Sequence, residues 1–228
     1  MRPSLAVFAA VALASSGNAA AQTSAASGAP GLDQNYISFR GGAYMPRGDA
    51  IDQLPGYSFN TGFGGEVTLG RRFNPNFAVE AGIGTFAVAT DDIPVTYDFY
   101  DAYGYYLGSV DGTRKGEVRA TPILATVKGI LPLQGFELYA GAGLGVYFVS
   151  AKETGTIPGY ASDSHTYSDS PIGLHVGAGA MIPLAPNWKL SIEGRLVSVK
   201  ASITDADGYN YDLNLGGTQL SGGLMFSF

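Results

Sequence analysis

The sequence predicts an all-β fold, a transmembrane antiparallel up-and-down β-barrel of eight strands. Three observations predict it. From Tyr36 to Phe228 the chain alternates apolar with small or polar residues at period two. The connections between the alternating runs are short and long in strict turn. No window reaches the ~18 uninterrupted apolar residues that a membrane helix needs, although charged residues make up only 14% of the chain. A chain that enters a bilayer without a helix has to close its sheet, because lipid leaves no partner for an unpaired backbone group.

Residues 1–21 read as a secretory leader. Arg2 supplies the positive end, residues 5–14 the apolar stretch, and Ala19, Ala20 and Ala21 the small-residue cleavage site. Residues 22–35, rich in Ala, Ser and Gly, read as a disordered lead-in, and 36–228 as the barrel domain.

Strand one puts Ile37, Phe39 and Ala43 on one face and Ser38, Arg40 and Tyr44 on the other, before a loop over 46–60. Strand two sets Phe63, Val67 and Leu69 against Glu66 and Thr68. A tight turn at Asn74-Pro75-Asn76 leads to strand three, with Phe77, Val79 and Ile83 against Ala78 and Glu80. A long loop is expected over 91–116. Strand four runs from about Val118 to Leu131, and Pro122 within it predicts a bulge or register break.

Strand five begins after Gln134-Gly135 and alternates Leu138, Leu144 and Phe148 with Tyr139, Gly141, Gly143, Gly145 and Tyr147. A loop over 152–170 precedes strand six, where His175 shares a face with Gly173, Gly177 and Gly179. Pro186-Asn187 turns the chain into strand seven, with Leu190 and Ile192 opposite Glu193 and Arg195. A last loop over 204–215 leads to the closing strand. There Leu220, Leu224, Phe226 and Phe228 form the apolar face, and Gln219 and Ser221 the polar one. Phe73, Phe77, Phe136 and Trp188 fall at the short-turn end of the strands, as an aromatic girdle at a membrane interface would.

A soluble lipocalin-like barrel would carry charge on its outer face, and here the outward positions hold too little. The run from Tyr36 to Phe228 resembles the small bacterial outer-membrane β-barrels, with OmpA-like, Opa-, OmpX- and OmpW-like members. The residues carrying the resemblance are the closing Leu220, Leu224, Phe226 and Phe228, with the alternation of turn lengths. It implies an integral outer-membrane protein, monomeric, with periplasmic termini and four exposed loops. It also implies a structural and surface-contact role, with a narrow porin-like channel or a conduit for small hydrophobic molecules as the alternative. Leu224, Phe226 and Phe228 resemble the signal read by the barrel-assembly machinery. No peptidoglycan-binding domain is expected after Phe228.

The polar face carries Arg40, Glu66, Glu80, Lys128, Glu193 and Arg195 at a similar depth from the short turns. An eight-stranded barrel is just wide enough for side chains to fill. Three acids and three bases at one level read either as a plug of paired charges or as a gate. The lumen-facing glycines leave room for large neighbours or for water.

The second long loop holds Tyr97, Tyr100, Tyr103, Tyr105 and Tyr106, a composition suited to contacting an extracellular ligand. The same residues also suit a hairpin that extends two strands. Asp91, Asp92, Asp98, Asp101, Asp111, Asp205, Asp207 and Asp212 gather at the outer rim. There they would face lipopolysaccharide, through divalent cations or simply through solvent.

With no Cys and two His, no disulfide, thiolate nucleophile or structural metal is expected. The formal net charge of −6 argues against nucleic acid. An enzyme would draw on His165, His175, Ser162, Ser164 or Ser168, which fall into no hydrolase motif. No cofactor is expected.

Overall fold

The computed structural model describes residues 34–47, 58–160, 162–204 and 210–228. The leader 1–21 and the lead-in as far as residue 33 lie outside the described residues. Twelve strands run in chain order: β1 (Gln34–Pro46), β2 (Gly62–Asn74), β3 (Phe77–Ala89), β4 (Ile93–Tyr100), β5 (Tyr106–Leu133), β6 (Phe136–Thr156), β7 (Asp163–Asp169), β8 (Ile172–Ala185), β9 (Trp188–Ser198), β10 (Lys200–Thr204), β11 (Asn210–Asn214) and β12 (Gly217–Ser227).

Eight of them build the wall, each antiparallel to the next, in the order β1-β2-β3-β5-β6-β8-β9-β12. β12 then pairs back to β1 from Tyr36↔Ser227 to Pro46↔Gly217, so the eight-stranded wall closes on itself. The closure extends into the chain end, where the Phe228 amide donates to the Asn35 carbonyl over 2.9 Å.

Alternation decides which side each residue takes. Ser38, Arg40 and Tyr44 are buried inside, whereas Phe39, Phe63, Leu69, Ile83, Ile123, Leu144 and Leu174 are exposed on the outer face. An outer surface this apolar is stable only against lipid. Three two-residue turns close one end. Asn74↔Phe77, Leu133↔Phe136 and Ala185↔Trp188 are the last pairs before them. Gly135 takes φ of 86°, which a residue with a Cβ rarely adopts.

At the other end the structure corrects the expected loops. Residues 91–116 form a hairpin, with β4 paired to the first half of β5. β5 therefore starts at Tyr106, not near Val118, and runs 28 residues. A tilted membrane strand needs only about 9–11, so the first half of β5 stands above the lipid. β6 likewise extends to Thr156 and pairs with β7, and β10 pairs with β11 from Lys200↔Asn214 to Thr204↔Asn210. Asp205 and Asp207 lie outside the described residues. Gln34 and Asn35 belong to β1 rather than to the lead-in.

Pro122 causes no bulge. The β3–β5 register is the same on both sides of it, at Ile83↔Ile123 and Phe86↔Ala120. The proline lacks an N–H to donate, and the ladder skips two positions without slipping.

Candidate functional site

The alternation turns Arg40 on β1, Glu66 on β2, Glu80 on β3, Lys128 on β5 and both Glu193 and Arg195 on β9 into the lumen, and all six are buried. The register sets Arg40 directly opposite Glu66. The Arg40 guanidinium donates to Glu66 over 2.8 Å, to Glu80 over 3.1 Å, and to Glu193. Lys128 Nζ lies 2.8 Å from Glu80 and 3.4 Å from Glu193. Arg195 reaches Glu66 at 2.6 Å and Glu193 at 2.7 Å.

Every carboxylate is thus held by two or three cations, in a network that crosses the lumen and carries no net charge. Neutrality and saturation are what burial demands, since an unpaired buried charge is very costly. Two tyrosines complete the layer. Tyr36 Oη donates to Glu80 and Tyr139 Oη to Glu193, each over 2.9 Å. Lys128 Nζ also sits 4.3 Å from the Tyr139 ring centroid.

Glycine makes room for these long side chains. A Cβ on Gly179 would come within 2.6 Å of the Tyr139 ring, and one on Gly143 within 2.6 Å of the His175 ring. The lumen glycines are therefore filled by their neighbours' side chains. His175 Nε2 shares a hydrogen bond with Thr126 Oγ1 over 2.9 Å. Three buried polar atoms have no partner among the described residues: Arg40 Nε, His175 Nδ1 and Ser191 Oγ.

Apolar plugs flank the charged layer. Toward the short turns lie Tyr36, Ala78, Ile130, Tyr139, Met181 and Met225. Toward the hairpins, Tyr44 stacks on Phe86 with centroids 4.2 Å apart, packed with Val118, Leu124, Tyr147, Val197 and Leu215. Tyr44 Oη donates to the Leu215 carbonyl. Three buried layers of side chains thus occupy the lumen.

A second ionic group sits at the turn end and was not foreseen from the sequence. Glu137 accepts from Arg72 over 2.9 Å and from Lys189 over 2.8 Å, and Arg72 also donates to the Pro75 carbonyl. Carrying the alternation to the strand ends, from Glu66 to Arg72 and from Glu193 back to Lys189, would have placed these residues inward. The girdle residues Phe73, Phe77, Phe136 and Trp188 are exposed at this same end. Trp188 packs on Phe226 at 5.0 Å and Phe226 on Phe228 at 6.3 Å. Leu224 and Phe228 are exposed on the outer face, with Phe226 half-buried beside them.

At the hairpin end, Tyr100, Tyr103, Tyr105 and Tyr106 are exposed around the β4–β5 tip. Tyr97 stands apart: it is half-buried, its ring lying over Gly112 and its hydroxyl beside Gly155. Phe99 stacks on Tyr160 at 5.7 Å, which joins the tips of two hairpins. His165 bonds Asp163 over 3.0 Å, and Ser162 faces Thr156 over 3.3 Å. Among the described residues, no group of three His, Asp or Glu side chains comes together to hold a metal ion.

A closed barrel with an apolar outer face and a side-chain-filled lumen is a membrane-spanning β-barrel. Residues 6–228 match the family model described as outer membrane protein beta-barrel domain, and the chain belongs to that family. Its place is the outer membrane, where such barrels set short turns on the periplasmic side and long loops outside. No curated protein matches the sequence. Among solved structures it is similar to Neisserial surface protein A, with 15% identity and a TM-score of 0.51 over 86% of this chain and 97% of that one. It is also similar to the outer membrane protein OprG from Pseudomonas aeruginosa, with 14% identity and a TM-score of 0.55 over 87% of this chain and 98% of that one. At these identities the likeness concerns the fold.

Proposed function

We propose that the protein is a closed structural barrel that presents a surface for contact outside the cell. The observation that carries this reading is the lumen layer of Arg40, Glu66, Glu80, Lys128, Glu193 and Arg195, in which every charge is paired across the barrel. A conducting path would have to break several of these pairs at once and then pass Tyr44, Phe86 and Tyr147. Above the closed wall, the exposed Tyr100, Tyr103, Tyr105 and Tyr106 offer rigid, amphipathic contact area at low entropy cost. Leu224, Phe226 and Phe228 at the wall's seam serve recognition by the assembly machinery. An enzymatic reading has less support: among the described residues neither histidine bonds a serine.

Two measurements test the reading together. Purified protein in a planar bilayer should show no reproducible open levels above the lipid background, and stable steps would replace the closed barrel with a channel. Cells carrying the protein with 97–106 exchanged for a Gly-Ser linker should lose binding to the surfaces they otherwise contact. Unchanged binding at equal surface expression would remove the Tyr-rich tip from the account.

A further inference from the structure

The outer face changes character at one level. Going up the wall toward the hairpins, the outward positions are apolar as far as Phe63 on β2, Phe148 on β6 and Ile172 on β8, all well exposed. Further along β5 and β6 the outward positions become polar and charged, two of them basic. Arg119 on β5 lies opposite Ser150 on β6, and Lys152 lies opposite Glu117. Arg119 and Lys152 are therefore diagonal neighbours, ~7–8 Å apart by sheet geometry. Both are exposed, and neither side chain has an ion-pair or hydrogen-bond partner among the described residues. Glu117 turns instead toward Lys115, at 3.7 Å.

The two cations line a surface groove of about 640 Å³ that the short side chains of Ala87, Ala89 and Ser150 leave open, with Glu117 also on its wall. Phe63 lines it as well, in register with Ala87, Arg119 and Ser150. A second cleft is lined by Arg47, Ser198 and Asn214 together with Leu174, Val176 and Leu196. In a chain of net charge −6, cations placed at the boundary between apolar wall and polar hairpins fit a layer of anions at that height.

We propose that the Arg119–Lys152 groove binds a phosphate of lipopolysaccharide in the outer leaflet. The Arg119 fork takes two phosphate oxygens, Lys152 acts as a point charge beside it, and the acyl chains run down over Phe63, Ile123 and Phe148. This goes beyond the surface-contact reading and rests only on the outer-membrane placement, so either can fail without the other.

The test is lipid binding to the full chain folded in detergent micelles, followed by native mass spectrometry. The probes are bisphosphorylated lipid A, dephosphorylated lipid A, phosphatidylglycerol and inorganic phosphate. The double variant Arg119→Gln, Lys152→Gln should bind bisphosphorylated lipid A about 30-fold more weakly, the worth of two cations near a charged surface. Wild-type protein should show a comparable loss with dephosphorylated lipid A. Arg71→Gln, which removes an outward cation at the turn end, should change nothing. Both groove side chains are solvent-exposed, so the variants should keep the heat-modified gel migration of the folded barrel. The proposal is overturned if the double variant keeps wild-type affinity, or if phosphatidylglycerol or inorganic phosphate displaces lipid A at equal concentration.

Discussion

The lumen and the hairpin rim both carry ion pairs of similar length, yet they are different objects. Arg40–Glu66 in the lumen spans 2.8 Å with the two side chains 3% and 5% exposed. Arg114–Glu153 at the rim spans 2.9 Å with the two side chains 41% and 37% exposed. Distance alone does not distinguish them, but solvent does. Water and salt screen the rim pair, and exposed pairs of this kind are worth about 0–1 kcal/mol. The lumen charges have already lost their water, so removing one leaves the others stranded. Cutting a pair at the rim should cost little, and cutting one in the lumen should cost much more.

The largest effect should come from breaking the lumen layer. Glu193→Ala leaves Arg40, Lys128 and Arg195 short of an acceptor, and it should cost about 3–5 kcal/mol. Urea unfolding in lipid vesicles, followed through the fluorescence of Trp188, the single tryptophan, measures it. An unchanged midpoint would show that water reaches the layer.

Next comes overpacking of the glycine face. Gly143→Leu would push a Cβ against the Ala125 carbonyl and the His175 ring, at 2.1 and 2.6 Å, and should cost about 1–3 kcal/mol by the same titration. Tyr44→Phe keeps the stack on Phe86 but strips the Leu215 carbonyl of its donor, for about 1–2 kcal/mol. Smallest is Arg114→Ala at the rim. It should shift the midpoint by under about 1 kcal/mol, and the shift should vanish in high salt. A loss as large as that of Glu193→Ala would erase the contrast between the two regions.

The same contrast explains what could be read from the sequence. Within the lipid, each strand must turn apolar residues outward, so alternation showed which residues point in. Counting from the short turns then brought the six lumen charges to one level. Above the lipid that demand lapses. The upper part of β6 and β7 carry polar residues on both faces and read as loops although they are paired strands. β4 does alternate, with Ile93, Val95, Tyr97 and Phe99 on one face, but the Asp, Tyr and Gly around it read as a loop. At the turn end, Arg72, Glu137 and Lys189 each sit at a strand terminus, where turn chemistry obscures the period. Tyr139 reads as bulk beside the lumen glycines, and Tyr36 only as the start of the alternation. Their hydroxyl bonds to Glu80 and Glu193 depend on how the strands meet across the barrel, which no single strand reveals.

The claim on which the rest stands is that the lumen charges act as one interlocked, water-free layer. A double-mutant cycle on Arg40 and Glu193, using Arg40→Met, Glu193→Gln and the pair together, tests it most directly. Interlocked charges predict a coupling of about 1–3 kcal/mol in the urea titration. Additivity within about 0.3–0.5 kcal/mol, as for independent sites, would contradict the account and describe a hydrated lumen.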